Sequence, residues 1–266
     1  KKDIKLMRNN KDKNSFSVDL GLYVKNKFIL ECQTSYNKVT KVRKVSINNK
    51  DTSTNNTRKN IPMLWIAPYN EKIFTGSSSL RRAFLDRLVT IFDNQHSVRL
   101  NEYEKCLRQR AKLLKERSTD ISWIEALEKQ LSRLSVSISS SRIEILNRLS
   151  KYLTNTVKLF PKIDIYFTES IETKLASNAA IDLEENMLEE YCSSREVDRL
   201  LGGSRVGCHK TDLIIKNIDK NLSAELCSSG EQKALLISLV LSAATAFKEY
   251  SKKSPIILLD EVFTHL

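Results

Sequence analysis

The sequence predicts an α/β protein, and three observations carry that expectation. Roughly the first seventy residues hold short alternating apolar runs between polar loops. The middle repeats apolar residues at helical spacings of three and four. The last stretch returns to strand, helix and strand, and its closing apolar run ends on two carboxylates.

In order, 16–24 alternates loosely, 28–30 continues it, and 39–47 alternates charge with Val and Ile, a half-buried antiparallel pattern. The polar stretch 49–60 reads as a loop. The run 63–67, stopped by Pro68, reads as a buried strand leaving its sheet. Helix follows over 79–92, with Leu80, Phe84, Leu85, Leu88 and Ile91 on one face. A basic helix over 98–117 places Leu100, Tyr103, Leu107, Ala111 and Leu114 inward. Its cations Lys105, Arg108, Arg110, Lys112 and Arg117 read either as a DNA-backbone contact or as a solvated face. Ile124, Leu127, Leu131, Leu134 and Ile138 form a short heptad seam. It loosens over 135–141, resumes with Ile143, Leu146 and Leu149, and ends near Pro161. A strand is expected over 163–167 and a helix over 182–201, stopped by Gly202 and Gly203.

The 266 residues suffice for one large domain or two small ones. Hydrophobic and charged fractions of 41% and 29% suit a soluble globular chain. No stretch reads as the roughly 20 apolar residues that cross a bilayer, so no membrane role is expected. The start, without Met or an apolar signal region, and the abrupt end read as a fragment of a longer chain. A net charge of +12 suits a polyanionic partner such as nucleic acid, although AT-rich coding alone also enriches Lys and Asn. Five scattered cysteines lack metal spacing and fit reduced thiols in the cytoplasm.

The carboxy-terminal constellation carries chemistry. Ser228, Ser229, Gly230, Glu231 and Gln232 precede a strongly apolar helix. Ser228 with Glu231 forms a capping box, which explains both residues without a ligand. Gly230 costs helix stability there, but it opens the first-turn amides to a phosphate. Further on, the apolar run 255–259 reads as a strand buried on both faces in a parallel sheet, ending at Asp260 and Glu261. Acidic residues often end strands; the functional reading gives Asp260 a Mg²⁺ ion through water and makes Glu261 the base for the attacking water.

Ser-Ser-Gly-Glu-Gln followed by Leu-Leu-Asp-Glu resembles the ABC ATPase superfamily. The resemblance implies an ABC-type head of mixed and parallel sheet with an inserted helical lobe. It assigns 228–232 to ATP held by a partner subunit, so the site completes only in an ATP-dependent homodimer. The residues 262–266 resemble the start of its D-loop. The phosphate-binding loop needs Gly-x-x-x-x-Gly-Lys-Ser/Thr. None of the six glycines opens one: Gly202 and Gly207 have the separation, but Cys208 and His209 follow. That loop lies at the amino terminus of ABC proteins, in keeping with a truncated start.

Two further blocks narrow the resemblance: P-Y-N-E-K-I-F-T-G-S-S-S-L-R-R-A-F-L-D from Pro68, and R-V-G-C-H-K-T-D-L from Arg205. With the signature and acidic strand they resemble the RecF family, in order, from about Met63 onward. The departures are Tyr69 where an acidic residue is usual, and Ser78 and Cys208 where Pro is usual. The resemblance implies ATP and Mg²⁺ binding, slow hydrolysis in the full-length chain, and DNA binding at single- and double-stranded junctions. It also implies partnership with RecR and RecO and help in loading RecA. A transporter cassette would lack the Arg-Arg-x-Phe-Leu-Asp block, and an SMC-like protein would need far longer heptads. A non-catalytic, truncated DNA-binding module is the further alternative. The expected division is 1–75 as ATPase lobe, 76–203 as helical lobe, and 204–266 as the signature and acidic-strand part. Arg81, Arg82 and Arg87 read as phosphate contacts or as a solvated face paired with Asp86. His209, with Lys210 beside it, reads as a nucleotide-site residue or a satisfied turn histidine.

Overall fold

The computed structural model describes residues 4–12, 15–24, 27–37, 39–53, 56–57, 60–117, 120–155 and 159–260. Two compact units result, Lys1–Pro62 and Met63–Leu266. The first is an antiparallel meander of β1 (Ile4–Asp12), β2 (Ser15–Val24), β3 (Lys27–Asn37), β4 (Val42–Ile47) and β5 (Lys50–Thr52). Pairing Leu22 with Leu30, Leu20 with Cys32 and Cys32 with Ile47 puts these side chains on one face. The expected loop 49–60 thus begins with a strand. Asn48 and Asn49, at φ 49° and 62°, make the left-handed two-residue turn that matches strand twist.

The second unit begins with β6 (Met63–Ile66), which pairs in parallel with β10 (Ile256–Leu259). Between them come α1 (Lys72–Thr75), α2 (Ser78–Phe92), α3 (His96–Lys115) and α4 (Ile121–Leu153). Then follow β7 (Ile163–Phe167), α5 (Ile171–Leu175), α6 (Ala180–Ser193) and α7 (Arg195–Leu201). Strands β8 (Leu213–Asn217) and β9 (Leu222–Ser223) lead to α8 (Ser229–Ser251). β7, β8 and β9 form an antiparallel sheet.

The α/β class is as expected, and several details differ. The seam does not loosen: α4 runs unbroken for 33 residues, about 50 Å. Ser132, Ser135 and Ser139 are buried on it, because small side chains admit close neighbours and find polar partners. The Ser139 hydroxyl donates to Glu172 at 2.9 Å, and the Cys208 amide donates to Ser135 Oγ at 3.5 Å. The 182–201 helix is two helices, broken at Ser194, whose hydroxyl takes Asp198 at 2.9 Å. Gly202 ends the second at φ 72°, as its position predicts. Leu80 is 40% exposed, one turn outside the core that holds Phe84, Leu85 and Leu88. The parallel pairing of β10 is present but its two-sided burial is not. Leu258 and Leu259 are 47% and 41% exposed, since only β6 flanks β10 among the described residues. α8 is long and apolar enough, by length and composition alone, to cross a membrane; it is instead mostly buried.

Two apolar cores organise this unit. One packs α8 (Leu235, Leu236, Leu239) against α2, the end of α4 and strands β6 to β8. The other joins α3, the start of α4 and α6 through Tyr103, Leu131 and Tyr191. α4 belongs to both, and the segment 204–212 lies against its middle.

Candidate nucleotide site

Ser228 caps α8 with extended backbone. Its Oγ accepts the Glu231 amide at 3.4 Å, and Glu231 Oε2 accepts the Ser228 amide at 2.9 Å. The capping box is therefore real, and Lys220 adds an ion pair to Glu231. The Lys220 hydrogen bond, then the Ser228 amide, hold the Glu231 carboxyl below its usual range. Gln232 turns back, and its amide donates to the carbonyls of Ala224 (3.0 Å), Cys227 (3.1 Å) and Glu225 (3.3 Å). This fixes the 3-10 turn Ala224–Leu226 against the helix start. Ser228 and Ser229 are exposed and Gly230 is half-buried, so the first-turn amides of 229 and 230 lie beside solvent with no Cβ on Gly230.

Asp260 follows β10; its amide donates to Ile66 O at 3.0 Å and its side chain is exposed. The carboxyl ends of β6 and β10 thus lie side by side, the place where open α/β sheets bind ligands. Glu261, and the D-loop-like residues 262–266, lie outside the described residues. Among the described residues no cluster of three His, Cys, Asp or Glu could cage a metal. A lone carboxylate fits Mg²⁺, which takes one or two protein oxygens and completes its shell from water and phosphate. No hydrogen bond or ion pair among the described residues joins Asp260 to 228–232.

The arginine block is engaged within the fold. Arg81 forks onto Asp212, Nε to Oδ1 and Nη2 to Oδ2, both at 2.8 Å. Its Nη1 donates to Gly76 O at 2.7 Å. Arg82 Nη1 donates to Thr211 O at 2.5 Å. Arg87 lies 4.4 Å from the Trp65 ring centroid and 4.8 Å from that of Phe84. Asp86 is not their partner: it accepts two hydrogen bonds from Arg142, at 2.8 and 2.9 Å, and one contact from His96 at 2.8 Å. Burial works against the Asp86 carboxylate, yet Arg142 and His96 outweigh it and hold its pKa low. Arg110 is likewise not on a solvent face. It is 1% exposed, bonded to Glu128 at 2.9 Å and Asp198 at 2.6 Å.

Both ring nitrogens of His209 have partners within the fold. Its Nε2 donates to Ser204 O at 3.0 Å, which leaves Nδ1 to accept the Tyr103 hydroxyl at 2.7 Å. Desolvation pushes its pKa down to about 4, so the ring is neutral at pH 7. Lys210 is exposed and, with Arg205 and Lys174, lines a polar groove of about 1240 Å³ beside α5 and α6. Gly207 sits where an added Cβ would stand 1.9 Å from Tyr103 Oη, at φ 127°, so only glycine fits. Sequence reasoning missed Asp212, Glu172 and Arg142 as organising groups. Asp212 stands inside the Arg205 block, but nothing local marks Arg81, 131 residues away, as its partner.

No family model matches this chain. Curated relatives do. It is 38% identical over 226 residues to the DNA replication and repair protein RecF of Brucella abortus, covering 84% of this chain and 59% of the relative. Identity to RecF of Rickettsia prowazekii is 37% over 204 residues, covering 77% and 56%. Identity to RecF of Rickettsia bellii is 33% over 238 residues, covering 90% and 66%. Two solved structures of the recombination mediator RecF in the RecFOR pathway, designated RecF-ATP and RecF-ATPrS, share the fold. Their TM-scores are 0.82 and 0.80 at 21% identity, with 96% of this chain covered. The chain spans somewhat over half the length of the first of these relatives. With its sequence matched over most of its length and its fold shared with RecF, the chain belongs to the RecF family.

Proposed function

We propose that this chain is part of an ATP-dependent DNA repair and recombination mediator of the cytoplasm. It binds DNA, dimerises on ATP, and works with RecO and RecR to help load RecA at gapped DNA. The observation that carries the ATP part is the α8 cap. Ser228 and Glu231 complete each other, Gln232 anchors the preceding turn, and the amides of 229 and 230 are left beside solvent at the positive end of a 23-residue helix. In this reading 228–232 covers ATP on a partner subunit. Asp260 holds Mg²⁺ on this subunit's own nucleotide, and Glu261 acts as base in slow hydrolysis. Hydrolysis then needs a phosphate-binding loop, which residues 1–266 do not contain. The RecF-ATP name of a structural neighbour supports the cofactor.

Two substitutions in the full-length protein test this together. Ser228→Arg fills the space over the first-turn amides, so ATP still binds but no longer drives dimerisation in sedimentation. Glu261→Gln retains the dimer and prolongs it. An undiminished ATP-driven dimer in Ser228→Arg would overturn the reading of the cap.

A further inference from the structure

We propose that Arg81 is a positioning residue that ties α1, which follows β6, to the segment delivering the α8 cap. Both groups of the nucleotide apparatus then shift as one piece. The second half of this statement rests on the function proposed above; the tie itself does not.

The guanidinium faces two ways. Nε and Nη2 grip both oxygens of Asp212, while Nη1 takes the carbonyl of Gly76 at 2.7 Å and lies 3.4 Å from that of Ile73. Ile73 lies in α1 and Gly76 directly follows it; a 3-10 turn over Pro68–Glu71 joins α1 to β6, the strand paired with the one that leads to Asp260. Asp212 opens β8, and its Oδ1 also accepts the Leu213 amide at 2.7 Å. From there the connection is short. β8 pairs with β9 through Asn217 and Leu222, and β9 enters the Ala224–Leu226 turn. Gln232 holds that turn by three carbonyls. Arg81 is the side chain that bridges the two ends of this path, and Arg82 reinforces it by holding the adjacent Thr211 carbonyl. Lysine cannot replace it, because one ammonium has no planar fork to hold a carboxylate twice and a carbonyl behind it.

In a dimer that places 228–232 over the partner's ATP, the tie has a consequence. Asp260 answers to this subunit's nucleotide and the cap to the other's. A rigid link between them passes the state of one site to the second.

The test uses Arg81→Lys in the full-length protein, read by hydrogen exchange and by ATP-dependent dimerisation. Exchange of peptides spanning 212–232 should rise roughly tenfold, the size of one lost charge-assisted hydrogen bond. Peptides from the α3–α4 core should stay unchanged. The ATP concentration for half-dimerisation should rise by a similar factor, with monomer ATP affinity unaltered. A folded variant with unchanged exchange at 224–232 overturns the tie, as does a uniform rise throughout the unit, which marks a purely structural loss. Should Arg81→Lys not fold, Asp212→Asn keeps the shape, removes the charge and is read the same way. If the wild type does not dimerise with ATP, the function proposed above fails, while the exchange measurement still decides the tie.

Discussion

His209 shows how a single residue's surroundings set its charge. A histidine next to Lys210 and near a conformationally special glycine resembles a phosphate contact. Held between Tyr103 and Ser204, however, it offers no charge at neutral pH. The sign of its effect on stability follows. Its pKa of about 4 in the fold lies below the usual 6.5, so the unfolded chain binds the proton first. The neutral ring's contribution is complete above pH 6.5 and is lost as pH falls toward 4. Between pH 7 and pH 5 this loss amounts to about 2 kcal/mol. Urea unfolding at both pH values should show it in the wild type and not in His209→Gln. Equal losses in both chains would show that His209 is protonated as easily in the fold as outside it.

Among the elements, α4 has the most to explain, because its inward face carries charge in the middle of apolar contacts. Arg142, 2% exposed, takes Asp86 from α2, Glu172 from α5 and the Cys208 carbonyl. Burial costs the guanidinium, and the two carboxylates more than offset it, so its pKa is raised. Arg142→Met therefore leaves two buried acids without their cation and should cost about 3–5 kcal/mol in urea unfolding. Arg133→Met, on the exposed face of the same helix, should change stability by less than about 0.5 kcal/mol. Similar small losses at both positions would remove the buried cluster from the account of how α4 is held. The same cluster shows what the sequence does and does not reveal. α8 was legible because cap and apolar run are contiguous, and the parallel strand because its apolar run is unbroken. The serines of α4 read as a weak point because their partners, Glu172 and Cys208, lie 33 and 73 residues away. Arg110 read as a surface cation for the same reason: Asp198 is 88 residues distant.

For the whole molecule, the question is where the charge excess resides. The buried arginines Arg110 and Arg142 and the half-buried Arg195 and Arg81 face carboxylates: Arg110 and Arg195 meet Glu128 and Asp198, Arg142 meets Asp86 and Glu172, and Arg81 meets Asp212. These clusters hold four arginines against five carboxylates, so the positive excess of the chain lies outside them. Basic character was legible from composition; its location was not, because pairing is a long-range property. On the solvent side of α3, Arg108 pairs with Glu104 and Lys112 with Glu116. DNA affinity of the full-length protein should thus fall steeply with salt, with a log–log slope near −5 if about six phosphates are neutralised. Arg108→Gln with Lys112→Gln should leave that slope almost unchanged, because each cation already has a carboxylate one turn away. A slope that flattens by about two in the double variant would place DNA on α3 instead. A slope near zero in the wild type would mean that the excess charge meets no phosphate.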